Sequence, residues 1–202
     1  MAQVTIIDYG AGNLASLRNA FEFLDISVNV TSEIEHIESA EKLVLPGVGA
    51  FAPAIQRLEE TGISDAIHRK VDEGVPFLGI CLGMQLLFTT SYEQGKWAGL
   101  DLIPGEVVKF TGVKKVPHMG WNNLEIIKSD GMLRDVREPA YVYFVHSYHC
   151  VPAEQNVITA TSEYGVDFCA TVRKANIWGA QFHPEKSQDV GLQMLRNFTD
   201  EK

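Results

Sequence analysis

The sequence is poor in cysteine, has no long apolar run and carries no excess of positive charge. Only three of its 202 residues are cysteines, Cys81, Cys150 and Cys169, and an odd number in a chain of this length does not suggest a disulfide framework. No apolar stretch approaches the roughly 18 residues that a membrane helix needs. The first residues, MAQVTIIDYG, lack the basic and apolar segments of a secretory signal. We therefore expect a cytoplasmic protein with no membrane partner.

The charge balance excludes a second class of partners. The chain has 17 Lys and Arg against 26 Asp and Glu, which gives a formal net charge of −9 and argues against non-specific binding to nucleic acid or anionic membranes. Hydrophobic residues make up 46% of the chain, which is too many for intrinsic disorder. Because no linker, repeat or low-complexity tract divides the sequence, we expect residues 1–202 to form one domain.

The order of apolar patterns predicts an α/β fold. Short β-branched runs alternate with helical patterns in the first half, with predicted strands at 4–8, 28–31, 42–45 and 75–80 and predicted helices at 14–24, 51–58, 63–71 and 82–88. This alternation predicts a mostly parallel central sheet with helices on both faces. Further strands are expected at 106–110, 123–127, 140–145, 157–162, 168–172 and 177–182, before a closing helix at 190–198. We expect these later strands to form an antiparallel excursion of the same sheet.

The segment Gly79-Ile80-Cys81-Leu82-Gly83 carries the sharpest chemical signal. It follows a predicted strand and precedes a predicted helix, which makes it the thiol version of the nucleophile elbow G-x-S-x-G. The glycines allow a sharp turn, and the helix start offers free backbone N–H groups and a positive dipole end that favour a thiolate and an oxyanion. The alternative is a buried structural cysteine between packing glycines.

A thiol nucleophile needs a base, and His183 is the candidate. It follows the strand predicted at 177–182 and is followed by Pro184 and Glu185. If the extended conformation continues, residues two apart point to the same face, so His183 and Glu185 would lie side by side. A carboxylate beside an imidazole fixes its tautomer and supports its charged form, as in a catalytic triad. The alternative is a strand end with a surface ion pair.

A glycine-rich turn, Gly47-Val48-Gly49, stands between the strand predicted at 42–45 and the next helix. Such a turn presents backbone N–H groups outside the carboxyl end of a strand. Next to Cys81 these groups would form an oxyanion hole. The alternative is a tight β–α turn that needs a positive φ at a glycine.

A dinucleotide site is a competing interpretation of the first predicted turn. Residues 10–15, GAGNLA, match the pattern G-x-G-x-x-[GA], and Glu33 lies where a ribose-binding acid would sit. The pattern is common, however, and a short βα turn explains the glycines equally well. We therefore expect no bound cofactor.

A metal site would have to be built from four residues of the second half, namely His146, His149, Cys150 and Cys169. In a strand the two histidines would face opposite sides, and no Cys-x-x-Cys pair exists. We therefore expect no metal.

The run Pro117-His118-Met119-Gly120-Trp121-Asn122 is loop-like in sequence but carries large apolar residues. Met and Trp are typical anchors of protein interfaces. This run predicts contact with a partner through Pro117, Met119, Trp121 and Asn122. The alternative is an aromatic plug on a β-hairpin.

Taken together, these motifs resemble those of the class I, or triad, glutamine amidotransferases. The general motifs are GICLGMQ at 79–85, the Pro46-Gly47 turn and FHPE at 182–185. Four segments are more specific and resemble those of the glutaminase subunits of imidazole glycerol phosphate synthases. They are DYGAGN at 8–13, PGVG at 46–49, PHMGWN at 117–122 and HPEKSQ at 183–188. The resemblance runs from residue 5 nearly to the end of the chain.

The resemblance implies a role for each matching residue. Cys81 would be the nucleophile, His183 the base and later acid, and Glu185 the carboxylate that orients it. The backbone N–H groups of Leu82 and of the turn 47–49 would form the oxyanion hole. The positions that hold glutamine match Gln85, Glu93, Ser147 and Tyr148. The family also implies a partner, a separate (β/α)8 cyclase subunit, whose acceptor is a phosphorylated formimino-aminocarboxamide ribonucleotide.

Other functions remain open from sequence alone. A glutaminase that serves another synthase would share the triad but lack the PHMGWN run. A cysteine hydrolase with a different substrate would not need Gln85 and Glu93, and a catalytically dead binding subunit would not need an intact Cys81, His183 and Glu185.

Overall fold

The strands of the described residues lie in two sheets of unequal size. A computed structural model describes residues 3–113, 115–129 and 131–201. Its strands are β1 Gln3–Ile7, β2 Ser27–Thr31, β3 Leu43–Leu45, β4 Phe77–Ile80, β5 Phe88–Ser91, β6 Trp97–Ala98, β7 Ile103–Lys109, β8 His118–Ile126, β9 Ala140–His146, β10 Tyr148–Pro152, β11 Ile158–Glu163, β12 Asp167–Lys174 and β13 Ile177–Ala180. The helices are α1 Leu14–Phe23, α2 Ile34–Glu38, α3 Phe51–Glu60, α4 Ile63–Asp72, α5 Leu82–Leu86 and α6 Gln188–Asp200.

The larger sheet has nine strands in the order β2-β1-β3-β4-β13-β12-β11-β8-β9. The pairs from β2 to β13 are parallel, and the pairs from β13 to β9 are antiparallel. The predicted α/β fold, with its parallel sheet extended by antiparallel strands, is therefore confirmed.

A second sheet corrects the prediction in one respect. Its order is β10-β7-β5-β6, so the strand predicted at 106–110 does not belong to the large sheet. The helix predicted at 82–88 ends at Leu86, and Phe88 begins β5, the strand with which β7 pairs in parallel. A short apolar run does not distinguish the end of a buried helix from a buried strand, which is why the partner strand of β7 was missed.

Each face of the large sheet has its own core, because adjacent residues of a strand point to opposite faces. Leu43 and Leu45 pack with the helices α3 and α4 and with the second sheet. Val44 packs on the other side, with α1 and α6. The helices therefore cover both faces of the parallel half, as the sequence predicts.

The run 117–122, which is loop-like in sequence, is mostly strand in the structure. Strand β8 begins at His118 and pairs with β9 along its length. His118 is buried, whereas Met119 and Trp121 are 61% and 47% exposed, and this alternation is that of a strand with one face on the core. The sequence did not show this alternation, because the exposed positions are occupied by large apolar residues and a glycine stands between them.

The carboxyl ends of β3, β4 and β13 meet at one edge of the large sheet, because these three strands are neighbours and parallel. The segments that follow them contain the turn 47–49, Cys81 and His183. Ligand sites of open α/β sheets lie in the crevice outside these ends. The topology therefore brings together three motifs that are distant in the chain, since Cys81 lies 34 residues after Gly47 and His183 lies 102 residues after Cys81.

We predict that Gly83→Ala strongly destabilises the fold. A Cβ atom at Gly83 would lie 1.8 Å from the carbonyl oxygen of Leu45, so α5 would have to move away from β3. We expect a loss of about 1–3 kcal/mol or more in the free energy of unfolding, measured by denaturant titration. The control is Gly74→Ala, which has a positive φ but no atom within 4 Å of the added Cβ. A loss in Gly83→Ala no larger than that of the control would contradict the packing argument.

Candidate active site

Cys81 stands at the turn between β4 and α5 in a strained conformation. Its φ and ψ are 56° and −111°, and a non-glycine residue persists in such a region only where its surroundings enforce it. Two features of the surroundings enforce it here. The Cys81 N–H donates to the carbonyl oxygen of Ala180 at 2.7 Å. In addition, Gly79 and Gly83, on either side of Cys81, approach so closely that a Cβ added at Gly79 would lie 2.6 Å from the carbonyl oxygen of Gly83. The predicted elbow therefore holds its cysteine, which is 6% exposed.

His183 and Glu185 form a buried pair, but not in the predicted way. His183 is extended, whereas Pro184–Lys186 is a turn of 3-10 helix, so the extended conformation does not continue. The turn still brings the Glu185 carboxylate to 2.8 Å from His183 Nδ1. The side chains are each only 3% exposed, which excludes the surface ion pair. Proline at the first helical position favours the turn, a signal that the expectation of a continuing strand overlooked.

The position of His183 is held from three sides. Its N–H donates to the carbonyl oxygen of Tyr143 at 3.0 Å, and its carbonyl oxygen accepts from the Ser187 hydroxyl at 2.6 Å. The Glu185 carboxylate accepts from Nδ1, which requires that Nδ1 carries a proton. In a neutral ring the unprotonated nitrogen is therefore Nε2, the atom that a general base uses.

The charge of His183 is governed by its two neighbours. Burial disfavours the protonated ring, but interaction with the neighbouring Cys81 and Glu185 outweighs burial and raises the pKa of His183 to about 10. Glu185 binds Nδ1, whereas Nε2 has no hydrogen-bond partner among the described residues. The arrangement therefore favours a protonated His183 whose Nε2 is available for proton transfer.

The turn 47–49 packs against the start of α5. A Cβ at Gly47 would lie 2.7 Å from the Tyr9 hydroxyl and 2.8 Å from the Leu82 Cβ, so only glycine allows this approach. Gly49 has a φ of +101°, and Val48 is 43% exposed. Close packing and a positive φ thus explain the glycines, and they also place the turn beside Cys81.

Cys81 and His183 lie in a cleft of about 300 Å³, near the lower end of the volumes of small-molecule sites. Its wall consists of Val48, Gly49, Cys81, Leu82, Gln85, Glu93, Pro117, Val145, His146, Ser147, Tyr148 and His183. It includes all four residues predicted to hold glutamine. Glu185 is not part of this wall, and neither is Gly47.

Two of these four side chains are anchored by hydrogen bonds. The Glu93 carboxylate accepts from the Phe51 N–H at 2.7 Å, at the start of α3, where the helix dipole favours a negative charge. The Gln85 amide donates to the backbone carbonyl oxygen of Tyr148 and to the side-chain amide oxygen of Gln181, each at 3.1 Å. Ser147 lies between β9 of the large sheet and β10 of the second sheet. The cleft therefore offers a fixed carboxylate together with neutral polar groups.

The predicted partner residues divide between the cleft and the surface. Pro117 lines the cleft, whereas Met119 and Trp121 point outward. Asn122 points to the same side as His118 and donates to the carbonyl oxygen of Glu163 at 2.7 Å. The amide of Asn122 is thus held within the chain, and its contact with a partner stays a prediction.

The four residues considered for a metal site do not form one. Cys150 and Cys169 are fully buried in apolar surroundings, which raises the pKa of both thiols. His146 lies beside His118 at 3.1 Å, and His149 stacks on Phe110. Within residues 3–113, 115–129 and 131–201, no group of three or more His, Cys, Asp or Glu is placed to hold a metal ion.

The residues of the dinucleotide pattern have local structural roles. Gly10 and Gly12 have φ values of 90° and 137°. Asn13 caps α1 by accepting from the Ser16 N–H at 3.3 Å. Glu33 pairs with His36 on the surface. A βα turn therefore explains the pattern without a nucleotide.

Two residues near Cys81 were not identified from sequence. The Gln181 amide donates to Cys81 Sγ at 3.9 Å and stands two residues before His183 in the chain. Tyr9 is 3% exposed, and its hydroxyl has no hydrogen-bond partner among the described residues. Burial, reinforced by the charge of Cys81, raises the pKa of Tyr9, so its hydroxyl stays neutral. The DYGAGN motif contained Tyr9, but no spacing rule connects it with the elbow.

Comparison with known families agrees with this geometry. The family model described as glutamine amidotransferase class-I matches residues 5–202. The chain belongs to the class-I glutamine amidotransferase family. It is 51% identical to the protein of Geobacter metallireducens named imidazole glycerol phosphate synthase subunit HisH, over 98% of each chain. It is 49% identical to the subunit of that name from Geobacter sulfurreducens, over the whole of both chains.

Solved structures share the fold at much lower identity. A chain of PurLQS from Thermotoga maritima superposes with a TM-score of 0.77 at 15% identity, covering 98% of this chain and 97% of that one. A structure described as glutamine amidotransferase superposes with a TM-score of 0.73 at 20% identity, covering 96% of each chain. These similarities support the fold class alone. The part of the chain that is described has no helix long and apolar enough to cross a membrane.

We predict that Glu185→Gln changes how stability depends on pH. The raised pKa of His183 means that protonated His183 stabilises the fold below its ordinary pKa of 6.5, and that this stabilisation is lost as pH rises toward about 10. Without the carboxylate charge, the pKa of His183 falls and the loss occurs at lower pH. The measurement is the free energy of unfolding between about pH 6.5 and 10. Identical pH profiles for the two proteins would contradict the proposed electrostatics.

Proposed function

We propose that this chain is the glutaminase subunit of an imidazole glycerol phosphate synthase. It releases ammonia from glutamine and delivers it to a cyclase subunit, in the histidine-biosynthetic reaction that forms imidazole glycerol phosphate and aminoimidazole carboxamide ribotide. We place this activity in one domain spanning residues 1–202 and in the cytoplasm. The two relatives named above have this subunit name, and the chain matches each of them over nearly its full length.

One observation carries the catalytic part of the proposal. Cys81, strained at an elbow, shares a cleft with His183, and His183 is paired with a buried Glu185 at 2.8 Å. A nucleophile, a base and a group that orients the base are the three parts of a triad. A structural cysteine would need neither the strained backbone nor the buried pair.

The first half of the reaction forms a thioester. The Cys81 thiolate attacks the carboxamide carbon of glutamine, and the carbonyl oxygen becomes an oxyanion. The imidazolium of His183 gives its Nε2 proton to the leaving nitrogen as the C–N bond breaks. Ammonia departs, and the glutamyl group remains bonded to Cys81 Sγ.

The second half restores the enzyme. Neutral His183 removes a proton from water through Nε2, and the resulting hydroxide attacks the thioester. Glutamate leaves as the C–S bond breaks, and the Cys81 thiolate again lies beside an imidazolium. The sum of both halves is glutamine plus water to glutamate, ammonia and one proton, which the new γ-carboxyl group releases as it ionises. Glu185 acts only through His183, whose tautomer it fixes.

Backbone N–H groups of Leu82 and of the turn 47–49 are proposed to stabilise the oxyanion. Leu82 is the first residue of α5, so its N–H has no acceptor within the helix. Val48 and Gly49 line the same cleft. A single oxyanion donor is worth about 10²–10³ in rate, so an unfavourable orientation of the Val48 or Gly49 N–H would suffice to suppress hydrolysis.

The substrate contacts follow from charge. The Glu93 carboxylate is suited to the α-ammonium group of glutamine, because it is fixed in the cleft by the Phe51 N–H. The segment of Ser147 and Tyr148, held by Gln85, forms the opposite contact. These assignments name glutamine rather than a general amide as the substrate.

The partner surface proposed here is the outward face of β8 with Pro117. Met119 and Trp121 are exposed on this face, while Pro117 belongs to the wall of the cleft. The surface is thus continuous with the site where ammonia is released. Exposed Met and Trp side chains are typical of interface centres, so we expect the cyclase subunit to bind here.

We predict that Cys81→Ala abolishes glutamine hydrolysis in a folded protein, with a loss of about 10³-fold or more. His183→Ala should be nearly as damaging, and Glu185→Gln milder, because Glu185 orients the base and does not transfer the proton. Glutamate release measured at saturating glutamine tests all three. The control is Cys169→Ala, which removes a buried thiol outside the cleft. Near-normal hydrolysis by Cys81→Ala would refute the triad.

We predict that Trp121→Ala weakens assembly with the cyclase subunit. Truncating an aromatic interface anchor typically costs more than about 1 kcal/mol, which is an increase in Kd of about fivefold or more that titration calorimetry would detect. The matched control is Ile127→Ala, which removes a side chain of similar exposure, 55%, just beyond the other end of β8. Equal affinities for Trp121→Ala and the control would place the interface elsewhere.

We predict that the cyclase subunit and its acceptor ribonucleotide raise glutamine turnover mainly through kcat. An oxyanion donor acts on the transition state, so setting it in place changes kcat more than KM. The measurement is steady-state glutaminase kinetics of the subunit alone and in the complex with acceptor. A free subunit that hydrolyses glutamine as fast as the complex would contradict control by the oxyanion turn and leave the triad assignment intact.

A further inference from the structure

A continuous chain of hydrogen bonds connects strand β8 with the glutamine-contact segment. The Asn122 amide lies 3.4 Å from His118 Nε2, and His118 Nδ1 lies 3.1 Å from His146 Nε2. His146 Nδ1 then contacts the carbonyl oxygen of Tyr148 at 2.8 Å. The same oxygen accepts from the Gln85 amide. Asn122, His118 and His146 take no part in the reaction steps above. Gln85 and Tyr148 are the two members of the chain that belong to the proposed glutamine contacts.

The direction of every bond follows from the last acceptor. A carbonyl oxygen only accepts, so His146 Nδ1 carries a proton, and in the neutral ring Nε2 is an acceptor. His118 must then donate from Nδ1, which leaves its Nε2 to accept from Asn122. The Asn122 orientation agrees, because its amide nitrogen also donates to the Glu163 carbonyl and its amide oxygen accepts from the Asn123 N–H. All donors and acceptors match when both histidines are neutral.

The surroundings keep both rings neutral and in place. His118 is 3% exposed and stacks between Phe144 and Tyr164, at centroid distances of 4.8 and 4.0 Å. His146 is 5% exposed and lines the cleft of Cys81. Burial lowers the pKa of His118 to about 4. It also lowers that of His146 to about 3, and the charges of His118, His149 and His183 add to this effect against the bond to Tyr148.

We propose that His118 and His146 are positioning residues that couple the partner surface of β8 to the segment that contacts glutamine. His118 alternates along β8 with Met119 and lies directly opposite His146 on β9, so a displacement of the strand by a partner moves the His118 ring. The His146 ring must follow to keep its bond, and it holds the Tyr148 carbonyl. The inference rests on the proposed function, because it assumes a partner on the outward face of β8.

The hydrogen bonds of His118 and His146 are satisfied in only one donor–acceptor order, so they depend on the relative position of the two rings. If either ring gained a second proton, or adopted the other tautomer, one nitrogen–nitrogen contact would have two donors or none. Leaving a buried ring nitrogen without a partner is unfavourable, so the pair favours one arrangement of β8 relative to Tyr148. Coupling between two sites requires such an element with discrete arrangements.

The variant His118→Phe tests the coupling. Phenylalanine keeps a ring between Phe144 and Tyr164 but removes both ring nitrogens. The measured quantity is the ratio of glutaminase kcat/KM in the complex with cyclase and acceptor to that of the free subunit. We expect this ratio to fall about fivefold or more, the lower limit of typical allosteric coupling. A purely structural role would change both rates together and leave the ratio unchanged.

Two further variants complete the design. His68→Phe makes the same substitution on α4, outside the cluster, and should leave the ratio unchanged. His118→Asn keeps an N–H donor near the position of Nδ1 and should restore part of the ratio. A folded His118→Phe complex with the wild-type ratio would overturn the proposal. Failure of the proposed function is recognised separately, because the unmodified complex would then release no glutamate from glutamine.

A spectroscopic measurement on the unmodified chain tests the arrangement without any variant. Nitrogen NMR of ¹⁵N-histidine-labelled protein reports which ring nitrogen carries the proton. We expect both His118 and His146 to be protonated at Nδ1 and neutral at pH 7, with assignment by the loss of each signal in its own variant. Protonation at Nε2 in either ring would overturn the proposed relay.

Discussion

The close approach of α5 to β3 determines where the reactive groups lie. Gly83 stands so near the carbonyl oxygen of Leu45 that no side chain fits between them, and this contact fixes the first turn of the helix against the sheet. The strained backbone of Cys81 is the consequence, because the chain must turn from β4 into α5 within one residue. The thiol, the first N–H of α5 and the turn 47–49 are thereby brought to one edge, to which β13 adds His183.

Electrostatics then defines the chemistry within this frame. Burial alone would keep His183 neutral, but Glu185 on one side and Cys81 on the other stabilise its charged form. The pair His118 and His146 shows the opposite outcome in the same molecule, because burial there is not opposed by a carboxylate. The same ring type is therefore favoured in its charged form beside Glu185 and in its neutral form beneath β8, according to its neighbours.

Local patterns predicted much of this arrangement. The elbow around Cys81 and the α/β order were recognised because each depends on neighbouring residues in the chain. The second sheet was missed because β5 is a short apolar run directly after α5, where strand and helix patterns coincide. The inward direction of Asn122 and the approach of Tyr9 to Gly47 depend on contacts between distant segments, for which the sequence contains no periodic signal. The meeting of His183 with Glu185 was expected, but through a strand rather than through the turn that proline induces.

If Cys81 is the nucleophile, the glutamyl group of glutamine becomes covalently bonded to Cys81 Sγ during the reaction. A single-turnover reaction with glutamine labelled in its carbon chain, quenched in acid and digested, tests this claim directly. The account predicts that the label is carried transiently by the peptide that contains Cys81, that it disappears as glutamate is formed, and that it persists longer in a variant with a slower second step. Glutamate formation without label on Cys81, or label on Cys150 or Cys169, would contradict the account.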